Sequence, residues 1–135
     1  MLNLSSSTRI FVCTKPVDMR LSFDGLFARV ATLIRQDPFS GHLFLFRSRR
    51  GNFIKILWWD IDGWAIFSKR LEAGTFRFPD VRFIDGKYQP IEIERADLAM
   101  LLDGIDTESV KRLNRYRRPD RKPDQHQRLI PKILK

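Results

Sequence analysis

The chain has 135 residues, 43% of them apolar, with a formal net charge of +9 and one cysteine. That length fits one domain with a core of its own. A single cysteine excludes an internal disulfide and a multi-cysteine zinc site, and no apolar run approaches the roughly 20 residues of a membrane span.

The charge is unevenly spread. Residues 1 to 110 hold 15 Lys/Arg against 14 Asp/Glu, and residues 111 to 135 hold 10 against 2. An appended basic segment points to a polyanionic partner, most often nucleic acid, or else acts as a solubilising tail. The first eight residues are polar and serine-rich, without the basic flank and apolar block of a signal peptide. A reduced, cytoplasmic and nucleoid-associated setting is expected, with no membrane partner and no small-molecule substrate.

Arg9 to Cys13 reads as a first strand, ended by Lys15-Pro16. Phe23, Leu26, Phe27, Val30, Leu33 and Ile34 recur at helical spacing, with Ser22 or Asp18 as candidate caps and Asp37-Pro38 as the stop. Gly25 in the first turn suggests close packing of this helix on a sheet. Three strands in meander order follow: Leu43 to Arg47, Phe53 to Trp59 and Trp64 to Lys69. Ser48 to Asn52 forms a basic turn in which Gly51 is available for positive φ. Residues 60 to 63 form a hairpin turn, with Gly63 expected to take the left-handed conformation. Val81 to Ile84 and Pro90 to Ile93 are expected to pair around Asp85-Gly86-Lys87. Arg95 to Leu102 reads as a short helix with Gly104 as its C-terminal cap. The predicted fold is α+β, a single small domain: an antiparallel β-meander packed on one long amphipathic helix, with a short C-terminal helix and a basic tail. Residues 1 to 106 form the domain. Residues 107 to 135 form the basic helix and tail, expected to be flexible in isolation.

With the turn at 60 to 63, Trp59 lies opposite Trp64, Leu57 opposite Ile66, Lys55 opposite Ser68 and Phe53 opposite Arg70, all on one face. The other face holds Ile54, Ile56, Trp58, Ala65, Phe67 and Lys69, and is expected to pack on the long helix. The first face mixes aromatic and basic groups. One reading is a second core layer under the helix of Leu98, Leu101 and Leu102. The others are a surface that stacks bases and neutralises phosphates and a protein-docking patch centred on Phe53, Trp59 and Trp64.

Arg47, Arg49, Arg50 and Lys55 gather at one turn, and the meander brings Lys69 and Arg70 near it, so guanidinium groups can reach successive phosphates. The alternative is an ordinary solvated turn. In the tail, Lys111, Arg112, Arg115, Arg117, Arg118, Arg121 and Lys122 fall within twelve residues. Nothing reads as a recognition helix.

The case for catalysis is weak. His42 and His126 are distant in sequence, and Cys13 sits in an apolar strand. Asp18, Asp24, Asp60 and Asp62 each have a local turn or helix-start role. No catalytic residue, metal or cofactor is assigned.

Several segments together resemble one family. They are Pro16-Val17-Asp18-Met19-Arg20, Phe23-Asp24-Gly25-Leu26, Asp37-Pro38-Phe39-Ser40-Gly41, Leu57-Trp58-Trp59-Asp60, Gly63, Lys69-Arg70-Leu71, Phe78-Pro79 and Leu101-Leu102-Asp103-Gly104. Across residues 9 to 106 the chain resembles the TnpB-type accessory protein, the second-frame product, of the bacterial insertion-sequence-sixty-six transposons. The resemblance implies a non-catalytic factor for transposition, with DNA and the transposase or another element-encoded protein as partners. It also implies that a separate, larger protein carries the catalytic acidic residues. Ile61 and Ser68 depart from the family's usual residue types, and the resemblance does not extend over residues 107 to 135.

Overall fold

The structure is a computed structural model and describes residues 4–78 and 82–103. Seven strands and two short helices are described: β1 (Ile10–Val12), α1 (Phe23–Arg29), β2 (Leu43–Arg47), β3 (Phe53–Asp60), β4 (Gly63–Arg70), β5 (Arg82–Ile84), β6 (Lys87–Gln89), β7 (Ile91–Ile93) and α2 (Arg95–Asp103). Five strands form one mixed sheet in the order β4-β3-β2-β1-β7. β1 runs parallel to β2 and antiparallel to β7.

This corrects the predicted fold class. The meander β2-β3-β4 is present, but it is one side of a five-stranded sheet rather than a sheet resting on one long helix. The first helical segment spans 12 residues, Phe23–Ile34, and its last five form a π-helical turn. It ends at Arg35, which takes a left-handed conformation (φ 61°), so the stop comes before Pro38. Asp37 then caps a separate 3-10 turn, Pro38–Ser40, by accepting from the Phe39 N–H at 3.0 Å.

The sheet is covered on both faces. Leu26, Val30 and Ile34 pack on Phe11, Cys13, Phe44, Phe46 and Leu57. Leu98 and Leu101 of α2 pack on Ile10, Val12, Leu43, Leu45, Ile54, Ile56 and Phe67. The predicted partners of the two hairpin faces are therefore exchanged. The face of Leu57, Trp64 and Ile66 meets the α1 segment, and the face of Ile54, Ile56 and Phe67 meets α2. Gly25 also differs from expectation. The nearest neighbours of an added Cβ are atoms of Leu21, at 2.6 to 3.3 Å, in the same segment rather than on the sheet.

The β3–β4 register is the expected one, from Phe53 opposite Arg70 to Trp59 opposite Trp64. Its turn differs. Gly63 is not left-handed; Ile61 is, at φ 61°. A β-branched residue there costs roughly 1–2 kcal/mol. Ile61→Asn is therefore expected to raise stability by about 1 kcal/mol in urea unfolding, since asparagine tolerates this conformation. An unchanged or lower midpoint would contradict this turn geometry.

The second hairpin is shifted too. Arg82–Ile84 pairs with Lys87–Gln89 across Asp85 and Gly86, both at positive φ. Residues 91–93 leave it and join β1. At the start of α2, the Asp97 side chain accepts from the Glu94 N–H at 3.0 Å, one of the two hydrogen bonds of a capping box. The expected cap at Gly104 lies outside the described residues.

Candidate nucleic-acid interface

The turn between β2 and β3 is tied down on several sides. The Gly51 N–H donates to the Ser48 carbonyl at 3.0 Å, and the Ser48 N–H donates to the Phe53 carbonyl at 2.9 Å. The Phe53 N–H donates to Ser48 Oγ at 3.2 Å. The Phe76 N–H reaches the Gly51 carbonyl (2.7 Å), and the Leu71 N–H reaches the Asn52 carbonyl (2.8 Å). Gly51 has φ 78°, the positive value expected of it.

Arg49 and Arg50 stand exposed at the tip of this turn. Neither has a carboxylate partner among the described residues, where the ion pairs are Arg9–Glu92 and Arg20–Asp18. Their turn forms one wall of an open cleft of about 440 Å³, whose opposite wall is Pro16–Met19. The Val17 N–H donates to the Arg47 carbonyl at 3.0 Å and fixes that second wall to β2.

One carboxylate, Asp18, lies in the cleft wall, but it is matched. Arg20 donates to it from its backbone N–H, its Nε and its Nη2 at 2.7 to 3.1 Å. These bonds lower its pKa to about 2. The wall is thus close to neutral, and the charge of Arg49 and Arg50 dominates.

The structure divides the other basic candidates. Phe53 lines the cleft. Lys55 Nζ and Arg70 Cζ each lie 6.0 Å from its ring centroid. Lys55 Nζ also donates to the Leu21 carbonyl at 2.8 Å, tethering the entry to α1. Arg47 is half-buried, donates from Nε to the Thr14 carbonyl at 2.8 Å and faces the Phe78 ring. Lys69 lies on the opposite sheet face from Arg70, and its Nζ donates to the Leu102 carbonyl of α2. Lys111, Arg112, Arg115, Arg117, Arg118, Arg121 and Lys122 lie outside the described residues.

The far ends of β3 and β4 are chemically opposite to this one. Trp59 and Trp64 meet edge-on with ring centroids 5.2 Å apart. Phe39 lies 5.3 Å from Trp59 and 5.2 Å from Trp64, and Phe27 lies 5.4 Å from Trp64. Both tryptophans are half-buried, whereas Phe39 is 53% and Ile61 89% exposed. Residues 36–46 and 56–68 carry Asp37, Asp60 and Asp62 but no lysine or arginine. Phe53, at the cleft, is therefore separated from the two tryptophans by the length of β3. Phe39 and Phe27 were not predicted in this cluster. A Pro-Phe-Ser-Gly turn that pins phenylalanine outward is the signal that places Phe39 there.

Among the described residues no group of three or more His, Cys, Asp and Glu side chains is arranged to hold a metal ion. Burial pushes the Cys13 thiol up to about 11, away from the reactive thiolate form. His42 Nδ1 accepts from the Arg9 N–H at 3.0 Å. No helix among the described residues is long and apolar enough to cross a membrane.

The family model described as IS66 Orf2 like protein matches residues 8–112. Two proteins of Sinorhizobium fredii (strain NBRC 101917 / NGR234) are similar to the chain. The uncharacterized protein y4jC is 36% identical over 112 residues, covering 83% of this chain and 92% of the relative. The uncharacterized protein y4hO is 37% identical over 106 residues, covering 78% and 88%. No solved structure gives a significant match.

Proposed function

Because the chain belongs to the IS66 Orf2-like family, a family of insertion-sequence accessory proteins, we propose that it assists transposition by holding DNA, largely through phosphate contacts, without making or breaking bonds itself. The observation that carries this reading is the pair Arg49 and Arg50, held on a tethered turn at the rim of a cleft and matched by no carboxylate among the described residues. Guanidinium groups in such a setting suit phosphate oxygens. Arg70 extends the same strip beside Phe53. The tail residues from Lys111 to Lys122 would add sequence-independent affinity.

A second reading is supported by the other end of the hairpin. Exposed Phe39 and Ile61 beside Trp59 and Trp64, bordered by aspartates, suit docking of a transposase or another element-encoded protein. The two surfaces lie at opposite ends of the strands, so both partners can be held at once.

A salt series of binding to a short duplex tests the first reading. If about six tail residues neutralise phosphates, log affinity falls against log salt with a slope near −5. Glutamine at the seven tail positions from Lys111 to Lys122 is expected to remove most of that slope. Residual binding that depends on Arg49 and Arg50 supports the folded site. Loss of all binding with the tail charges favours the adaptor reading, and a flat slope in the unaltered chain contradicts DNA binding altogether.

A further inference from the structure

We propose that the cleft between Pro16–Met19 and the Ser48–Asn52 turn receives an unpaired stretch of DNA, with a base stacked on Phe53 and the flanking phosphates on Arg49, Arg50 and Arg70. This deepens the DNA-binding reading above and rests on it.

The central observation is the place of Phe53. It begins β3, outside both core clusters. It is half-buried and lines the cleft. Its ring has two cationic neighbours, Lys55 Nζ and Arg70 Cζ, both 6.0 Å from the ring centroid. A ring set in a positive strip offers a π-face to an unpaired base, while the exposed Arg49, Arg50 and Arg70 stay within reach of the flanking phosphates. A duplex keeps its bases stacked inside and presents mainly phosphates, so Phe53 would add little to duplex binding.

The site is also built rather than incidental. The Phe53 N–H is held by Ser48 Oγ, and its carbonyl accepts from the Ser48 N–H. Phe53 and Arg70 are direct cross-strand partners, which fixes the guanidinium-bearing residue against the ring. Opposite, Val17 is bonded to the end of β2, and Asp18 is occupied by Arg20. A volume of about 440 Å³ falls within the range of small-ligand sites. The cleft thus combines a neutral wall, a cationic rim and an aromatic floor.

The test compares a labelled oligothymidine of 15 nucleotides with a duplex of equal length, binding to the full chain, by fluorescence anisotropy. Phe53→Leu is expected to weaken single-strand binding about tenfold and to leave duplex binding within about twofold. Phe53→Trp, which keeps the stacking face, is expected to bind the single strand at least as well as the unaltered chain. It keeps the proposal falsifiable if the leucine variant misfolds. Equal loss on both DNA forms in a folded Phe53→Leu protein, or a tenfold loss in Phe53→Trp, would overturn the proposal. If Arg49→Ala/Arg50→Ala weakens both forms while Phe53→Leu weakens neither, the stacking inference alone falls. If the arginine variant changes neither form, the folded DNA site falls with it.

Discussion

Replacing Phe44 with alanine is expected to lower the midpoint of thermal unfolding by about 20 °C. Phe44 is the second residue of β2 and fully buried. It is paired with Phe11 of β1 on one side and Leu57 of β3 on the other. Its ring lies 5.9 Å from that of Phe11 at an interplanar angle of 17°. Leu26, Val30 and Ile34 close over this row from the α1 side. Removing a fully buried phenylalanine loses the transfer energy of the ring and leaves a cavity, together about 3–5 kcal/mol. That is a large share of the roughly 5–15 kcal/mol by which a small domain is stable. Phe39→Ala is the control. Phe39 is 53% exposed in the aromatic cluster, so its loss is expected to cost about 1 kcal/mol or less. Similar midpoints for the two variants, measured by circular dichroism, would contradict the two-layered core.

Much of the hairpin was legible because strand geometry leaves little freedom. A period of two and a recognisable turn determine every cross-strand pair once the turn is located, and the pairs from Phe53–Arg70 to Trp59–Trp64 follow. What covers each face was not legible, because both faces of the hairpin are apolar near its middle. Leu57 lies at the α1 face and Ile56 at the α2 face, both fully buried. Periodicity separates the two sets without saying which helix meets which.

A stronger clue lay in β1 and β2. Ile10 to Cys13 and Leu43 to Phe46 are unbroken apolar runs, and all eight residues are buried. Such runs mark strands covered on both sides, which is incompatible with a sheet resting on one helix. The parallel pairing of these strands joins residues more than 30 positions apart, and no local pattern specifies it. The turn at Ile61 misled for another reason. Gly63 is the residue best suited to a left-handed conformation, yet the register requires it at Ile61.

The candidate site was legible in composition more than in arrangement. Arg49 and Arg50 stand out as a basic pair in a glycine-containing turn, and the structure leaves both exposed. Chain proximity groups Arg47 with them, and the strand pairing of the meander adds Lys69, although Arg47 is engaged with Thr14 and Phe78, and Lys69 with Leu102. A basic residue can anchor a carbonyl as well as face solvent, and only three-dimensional packing separates those roles. The cleft itself depends on Pro16–Met19 returning to the end of β2, a tertiary contact with no local signature.

The most direct test is a salt series of duplex binding by the full chain and by its Arg49→Ala/Arg50→Ala variant, both carrying glutamine at the seven tail positions from Lys111 to Lys122. Two phosphate contacts contribute a slope of about −2 and roughly 30-fold in affinity near 0.15 M salt. The two alanines are expected to abolish that slope and that affinity without lowering the thermal midpoint. Equal affinities for both proteins at every salt concentration would show that the turn between β2 and β3 does not hold DNA.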